Sequence, residues 1–194
     1  MAVAQLRAEE HDSGTHDELY RIIVSRSFRR GHFTLASGIE SDLYFNMKAT
    51  IMDPKGGTLV ARAVLDFALE HGADLVGGLA LGALPTLGAV ATLSFVENRP
   101  LRTFFVRQEA KTHGTRELIE GLSLEETFED QHVVVVDDVA TKGGSIMQAI
   151  DAVRALGATV DTALVIVDRE KGAEALLRDN DVKLFSLFRE HEFI

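Results

Sequence analysis

The sequence predicts an α/β fold in which a mainly parallel central sheet is flanked by helices. Apolar runs of strand length alternate with helical patterns from about residue 53 onward. Val133–Val136 is a continuous apolar run, which is typical of a strand buried on both faces of a parallel sheet. The chain has no internal repeat and no Pro/Gly/Ser-rich linker. We therefore expect one domain over residues 1–194, with a small N-terminal subdomain at residues 17–50.

The first quarter of the chain predicts one helix and a hairpin. Residues 1–16 are polar, and we expect them to be irregular. From Asp17, apolar side chains recur at helical spacing as far as Phe28, and Gly31 is expected to end this helix. Two short apolar stretches lie on either side of a turn at Ser37–Gly38, which predicts an N-terminal hairpin.

The rest of the chain predicts alternating helices and strands. Asp53 and Pro54 form a strong helix start, with a capping carboxylate before a proline at the first helical position, and Gly72 ends that helix. We predict strands at residues 74–79, 101–106, 132–136, 160–167 and 182–187, and helices at residues 84–95, 145–156 and 172–178. Because parallel neighbours need crossover connections, this order predicts right-handed βαβ units.

Charge and composition exclude several classes of protein. The 194 residues include 30 acidic and 20 basic side chains, a net charge of −10, so no global basic surface is available for nucleic acid or anionic membranes. The absence of cysteine excludes disulfides, thiolate metal sites and cysteine nucleophiles. The N-terminus lacks the apolar core of a signal peptide, and no apolar run is long enough to cross a bilayer. We expect a cytoplasmic protein without nucleic-acid or membrane partners.

The most informative segment joins a predicted strand to the helix that follows it. Asp137 and Asp138 come directly after the strand, and a glycine-rich loop over Thr141–Ser145 leads into the helix. Ligands of open α/β sheets bind outside the carboxyl ends of the strands. A glycine-rich turn into a helix N-terminus exposes backbone N–H groups to phosphate, while carboxylates accept hydrogen bonds from sugar hydroxyls or bind Mg²⁺ with its waters. The segment therefore predicts a ribose 5-phosphate site, with a solvated acidic turn as the alternative.

This segment resembles the phosphoribosyl-pyrophosphate (PRPP) signature of the type I phosphoribosyltransferases. The resemblance implies the fold of that family, with the N-terminal subdomain as a hood. It also implies Mg²⁺, which Asp137 and Asp138 would bind through water or PRPP. Lys142 departs from the small or hydroxyl side chain that is usual at its position. The PRPP-binding residues that the signature implies are Asp137, Asp138, Val139, Ala140, Thr141, Lys142, Gly143, Gly144 and Ser145.

A second segment, which starts at Arg107, resembles the catalytic loop of the orotate phosphoribosyltransferases. That loop has the pattern Arg-Lys-x-x-Lys-x-His-Gly, and Arg107, Lys111 and His113 match it, while Gln108 replaces a lysine. The resemblance implies that these four residues contact PRPP, and that Arg107, Lys111, His113 and Asp138 are catalytic. On composition alone, an ordinary charged loop is the alternative.

Two more segments resemble the same family. Residues 33–38 resemble the N-terminal Phe-x-Leu-x-Ser-Gly element over the base site, with Ala36 where lysine is usual. Asp168-Arg169 resembles the Asp-Arg pair that places an arginine on the orotate carboxylate, which suits bidentate guanidinium geometry, and Thr141 is implied to bind orotate beside it. A surface ion pair between Arg169 and Asp168 is the alternative.

Together these resemblances imply that the chain transfers ribose 5-phosphate from PRPP to orotate, in the biosynthesis of UMP. They also imply a homodimer in which each catalytic loop acts on the neighbouring site. Two alternatives stay open: another type I phosphoribosyltransferase, serving purine salvage, and a non-catalytic PRPP-sensing regulator. The regulator is kept open by Ala36, Gln108 and Gly82, since some family members carry a basic residue at each of these positions.

The charge is unevenly distributed around the predicted loop. Residues 99–116 carry five Lys and Arg side chains against one acid, whereas residues 117–130 carry six acids and no base. The net negative charge therefore surrounds a cationic segment at the place where we expect pyrophosphate to bind.

Overall fold

The computed structural model describes residues 2–34, 40–109, 118–123 and 125–194, without the side chains of residues 2–13 and 34. The chain divides into two compact units, Met1–Val60 and Ala61–Ile194. Helix α3 crosses the boundary between them. No helix in the described part of the chain is long and apolar enough to span a membrane.

The N-terminal unit contains the predicted hairpin between two helical segments. Strands β1 and β2 are antiparallel, and the rings of Phe28 and Phe45 lie 5.2 Å apart at one end of the hairpin. Next to this pair, the hydroxyls of Ser27 and Thr50 are hydrogen-bonded at 2.7 Å. Its elements are α1 (Ala2–Arg26), β1 (Phe28–Thr34), β2 (Glu40–Phe45), α2 (Lys48–Ile51) and the start of α3.

The first helix differs from the sequence prediction at both ends. Helix α1 begins at Ala2, within the segment expected to be irregular, and it ends at Arg26. Phe28 and Gly31 lie in β1, where Gly31 has a φ of +149° next to an irregularity in the strand pairing. Phe28 continues the helical apolar spacing, but pairing with Phe45 buries it in the hairpin. The helix therefore ends at Arg26, before the predicted stop at Gly31, because Phe28 packs across the hairpin instead of on the helix.

The C-terminal unit has the predicted α/β architecture. Its six-stranded sheet has the order β5-β4-β3-β6-β7-β8, in which all neighbours are parallel except β4 and β5. The short β5 was not predicted. The elements are α3 (Pro54–Glu70), β3 (Leu75–Leu79), α4 (Leu84–Val96), β4 (Arg102–Val106), β5 (Ile119–Glu120), β6 (His132–Ala140), α5 (Gly144–Arg154), β7 (Thr159–Asp168), α6 (Ala173–Arg178), β8 (Lys183–Arg189) and a 3₁₀ turn (Glu190–Phe193).

Local sequence explains most of these elements. Asp53 Oδ1 accepts the backbone N–H of Gly56 at 3.0 Å and caps α3 as predicted. Val133–Val136 is almost fully buried in the middle of the sheet. The sheet core also depends on Gly77 in β3, since a Cβ there would overlap the buried ring of Phe104.

The strand connections diverge in opposite directions from β3 and β6. From β3 the chain runs outward through α4 to β4, and from β6 it runs in the opposite direction to β7 and β8. Strands that diverge in this way leave an open space at their carboxyl ends, where ligands of doubly wound sheets bind. The predicted PRPP segment begins within β6, at Asp137, and continues past the carboxyl end of that strand.

Candidate active site

Segments at the carboxyl ends of four neighbouring strands form the candidate site. Gly82 follows β3, Arg107 follows β4, the loop from Thr141 follows β6, and Arg169 follows β7. The strand register brings the last two together, because Ala140 pairs with Asp168 and the Arg169 N–H bonds to the Ala140 carbonyl at 2.9 Å. The structure therefore assembles segments that are up to about ninety residues apart in sequence.

The two acidic residues lie within β6 rather than beyond its end. The predicted strand 132–136 continues to Ala140, because its pairing with β7 extends as far as Asp168. Asp137 is buried, with 8% of its surface exposed; its Oδ2 accepts a hydrogen bond from Ser145 Oγ at 2.8 Å, and its Oδ1 accepts one from the Asp138 N–H at 2.9 Å. Asp138 Oδ1 accepts the Val139 N–H at 2.8 Å. These bonds hold both carboxylates in fixed orientations.

Gly82 brings the loop after β3 against this acidic pair. A Cβ built on Gly82 would lie 3.1 Å from Asp138 Oδ1 and would overlap Asp137 Oδ1. Both carboxylates therefore converge on one glycine Cα. Some family members carry lysine at this position. In this chain the Gly82 backbone lies so close to the acids that no side chain would fit unless they moved.

The loop after β6 has the geometry of an anion cradle. Gly143 caps α5 in the left-handed region with a φ of +81°, and a Cβ there would be 3.0 Å from Leu177 Cδ1. No side chain among the described residues caps this helix. The helical hydrogen bonds begin with the Met147 N–H, which bonds to the Gly143 carbonyl at 3.0 Å. The N–H groups of Gly144, Ser145 and Ile146 thus precede the hydrogen bonding of the helix and form its positive end.

Arg107 and Gln108 begin the predicted catalytic loop. Arg107 Nη1 lies 3.2 Å from Glu120 Oε1, and the Arg107 N–H bonds to the Leu118 carbonyl at 2.7 Å, so the two ends of the segment meet. The Gln108 carbonyl accepts the side-chain amide of Gln148 at 3.0 Å. Lys111 and His113 lie outside the described residues, as does Ala36.

Arg169 lies in a buried ion pair that sequence reasoning did not find. Its guanidinium Nε is 2.6 Å from Glu190 Oε2, and the two residues are only 4% and 5% exposed. The alternative considered from the sequence was a surface ion pair between Arg169 and Asp168. In the structure, Arg169 instead contacts Glu190, and Asp168 Oδ1 accepts the Glu170 N–H at 2.9 Å. Glu190 is 21 residues from Arg169 and follows a different strand, so no local pattern could identify it.

The pKa values of two carboxyl groups beside Arg169 are shifted in opposite directions. Burial disfavours the charged form of Asp168 and raises its pKa, with the nearby Glu170 and Glu174 charges acting in the same direction. Hydrogen bonds from His191 lower the pKa of Glu170, which stays ionised as a partner for that histidine. The segment from Asp168 to Lys171 is therefore electrostatically coupled to the end of the chain.

The acidic pair alone does not make a complete metal site. No group of three or more His, Cys, Asp or Glu side chains suited to a metal ion occurs among the residues that the structure describes. Two carboxylates are, however, the usual protein contribution when Mg²⁺ arrives with a phosphorylated substrate and keeps several of its waters. Asp137 and Asp138 therefore fit a site for Mg²⁺ that is bound together with the substrate.

Comparisons with known proteins find relatives over most of the chain. Residues 54–192 match the model of the phosphoribosyl transferase domain. The orotate phosphoribosyltransferase of a Bradyrhizobium species is 43% identical over 182 residues, which are 94% of this chain and 98% of the relative. The crystal structure of the Mycobacterium tuberculosis orotate phosphoribosyltransferase with Fe(III) dicitrate has a TM-score of 0.78 at 30% identity, covering 92% of this chain and 98% of that one.

A second crystal structure of the M. tuberculosis enzyme is a complex with PRPP. Its TM-score is 0.74 at 27% identity, with 92% of this chain and 98% of that chain covered. The family match covers more than half of the chain, and the relatives agree over nearly their whole length. The chain therefore belongs to the phosphoribosyl transferase family and, within it, to the orotate phosphoribosyltransferases.

Proposed function

We propose that the chain binds PRPP and orotate at this sheet edge and forms orotidine 5′-monophosphate and pyrophosphate, as a step of de novo pyrimidine biosynthesis. One observation carries the proposal: the Asp137–Asp138 pair, the cradle at the start of α5 and Arg169 occupy adjoining carboxyl ends of β6 and β7. Acceptors for sugar hydroxyls, donors for a phosphate and a cation for a carboxylate thereby lie side by side.

The residues after β6 would bind the ribose 5-phosphate. Asp137 and Asp138 would accept hydrogen bonds from the ribose 2′- and 3′-hydroxyls. The loop over Thr141–Ser145 would hold the 5′-phosphate with backbone N–H groups and hydroxyls, because its donors precede the bonding of α5. Mg²⁺ bound with PRPP would neutralise phosphate charge, and Asp137 and Asp138 are the side chains that would hold it through its waters.

The leaving group needs cationic residues, because pyrophosphate gains charge as its bond to the ribose breaks. Arg107 would supply one, and Lys111 and His113 would supply others from the loop that follows it. A pair of unit charges at 4 Å is worth about 1 kcal/mol in water but about 4 kcal/mol at an effective dielectric constant of 20. A loop that closes over the site would therefore strengthen every one of these contacts.

Arg169 would distinguish orotate from other bases. Orotate carries a carboxylate that a guanidinium can bind through paired hydrogen bonds, and purines carry none. This argument, with the Arg107, Lys111 and His113 match, favours orotate over a base used in purine salvage. A PRPP sensor without activity is the remaining alternative, because Gln108 and Ala36 replace basic residues.

A spectrophotometric assay with PRPP and Mg²⁺ tests the proposal, with orotate, hypoxanthine, adenine and uracil compared as acceptors. Of these four acceptors, we expect only orotate to be turned over. Turnover with a purine but not with orotate would establish the salvage alternative, and PRPP binding without turnover on any base would establish the sensor.

We also propose that the active form is a cytoplasmic homodimer in which each catalytic loop acts on the neighbouring site. Mixing Lys111→Ala protomers with Asp137→Asn protomers tests this arrangement, since a mixed dimer has one site with both residues intact. Partial recovery of activity on mixing is expected. Two inactive variants that stay inactive after subunit exchange would contradict action across the interface.

A further inference from the structure

Glu190 is a buried carboxylate next to the proposed orotate site, and the functions discussed so far do not use it. It opens the 3₁₀ turn that follows β8 and is only 5% exposed. Its Oε2 accepts a hydrogen bond from Arg169 Nε at 2.6 Å, and its Oε1 lies 3.0 Å from Lys171 Nζ. One buried acid therefore joins two cations of the segment that follows β7.

Further contacts hold the backbone on either side of Glu190. In the pairing of β7 with β8, Asp168 lies opposite Arg189, directly before Arg169 and Glu190. The His191 N–H donates to Glu170 Oε2 at 3.2 Å, and His191 Nδ1 lies 2.9 Å from the same oxygen. The turn is thus tied to the segment after β7 by strand pairing on one side of Glu190 and by His191 on the other.

Stability alone gives a weak reason for such a buried pair. Removing two charges from water costs several kcal/mol per ion, and their attraction often does no more than offset that cost. A short charge-assisted bond does, however, help to fix the direction in which a guanidinium points. Planar recognition of a carboxylate requires that direction to be set before the substrate arrives.

We propose that Glu190 is a positioning residue that orients Arg169 for the carboxylate of orotate. The inference rests on the proposed function, which assigns that carboxylate to Arg169.

The test is Glu190→Gln, which keeps the shape of the side chain but replaces a charged acceptor with a neutral one. Bonds to a charged acceptor are about twice as strong as neutral ones. We expect the KM for orotate to rise roughly 10-fold, equivalent to about 1.4 kcal/mol, while kcat and the KM for PRPP stay within about twofold. A purely structural role would instead lower the thermal midpoint and the active fraction, and leave the KM for orotate unchanged.

Glu192→Gln is the matched control, because it removes one negative charge from the same turn. Glu192 Oε1 caps the Arg189 N–H, whereas Arg169 bonds to Glu190. All kinetic constants of this control should stay near those of the parent. If Glu190→Gln does not fold, Glu190→Asp keeps the charge but withdraws the carboxylate by one methylene, and it too should raise the KM for orotate.

The outcomes separate this inference from the function on which it rests. If the parent turns over orotate and a folded Glu190 variant keeps the parent KM for orotate, the positioning role is wrong and the proposed function stands. If the parent uses a purine but not orotate, both are overturned. If both Glu192→Gln and Glu190→Gln raise that KM equally, the effect belongs to the charge of the turn and the positioning role is again wrong.

Discussion

Gly82→Ala is the most direct test of the acidic pair, because it adds one carbon atom where two carboxylates converge. The added Cβ would overlap Asp137 Oδ1 and lie 3.1 Å from Asp138 Oδ1. Gly82 does not have a positive φ, so an alanine backbone is not itself strained there. The carboxylates, rather than the loop conformation, must absorb the substitution.

The size of the effect follows from what holds Asp137 in place. To make room, Asp137 Oδ1 must move on the order of 1 Å, and misplacing a positioning group by that distance costs roughly 100-fold in rate. The movement also strains the bonds at 2.9 Å from the Asp138 N–H and at 2.8 Å from Ser145 Oγ. We therefore expect kcat/KM for PRPP to fall roughly 100-fold, about 2.7 kcal/mol of transition-state stabilisation.

The assay is steady-state orotidine 5′-monophosphate formation with PRPP varied at saturating orotate and Mg²⁺. Gly88→Ala is the control, because that glycine is exposed on α4 and an added Cβ would have no atom within 4 Å. It should leave the kinetics unchanged and stabilise the helix by roughly 0.5–1 kcal/mol. A folded Gly82→Ala enzyme with kcat/KM for PRPP within about threefold of the parent would refute the placement of the acids.

Three further perturbations test the core, a surface ion pair and the catalytic loop. Gly77→Ala places a Cβ inside the buried Phe104 ring, so chemical denaturation should show a loss of about 1–3 kcal/mol or more; unchanged stability would disprove that contact. Burial lowers the pKa of His132 and its bond to Asp161 at 2.8 Å raises it, with a net rise. This stabilisation is complete below the unfolded pKa of about 6.5 and is lost as pH rises through the higher folded value. Asp161→Asn should therefore lower the thermal midpoint by a few degrees at about pH 5.5 and hardly at about pH 8.5, since exposed pairs contribute about 1 kcal/mol at most; an equal loss at both pH values would contradict the pairing. Lys111→Ala should lower kcat roughly 100-fold or more, as loss of a charge-stabilising donor does. Near-parental turnover would show that Lys111 is not a catalytic residue.

From Asp53 onward, the helices and strands other than the short β5 could be predicted from the sequence, because their signals are local. The cap at Asp53, the apolar run at Val133–Val136 and the glycines that end helices act within a few residues of the structure they define. The prediction was wrong where one apolar residue fitted two different elements. Phe28 fits the spacing of the first helix, but its burial opposite Phe45 in the hairpin is a contact between residues 17 positions apart.

The candidate site divides in the same way. The residues from Asp137 to Ser145 are contiguous, so their chemistry could be recognised from the sequence, and the rule that carboxyl ends of parallel strands share an edge predicted Arg169 beside them. The extension of β6 through the acids could not be predicted, because it depends on the pairing of Ala140 with Asp168. The partner of Arg107, Glu120, depends likewise on the pairing of β5 with β4.

The sequence by itself determined the order of the helices and strands after Asp53 apart from β5, and also the acidic pair and the glycine-rich loop, because each depends on residues that are neighbours along the chain. Only the tertiary structure decided that Gly82 touches the acids and that Glu190 holds Arg169. Those contacts exist because the sheet places β3 beside β6 and β8 beside β7. Strand order is set by the burial of whole apolar faces, a property of the assembled sheet that no single segment encodes.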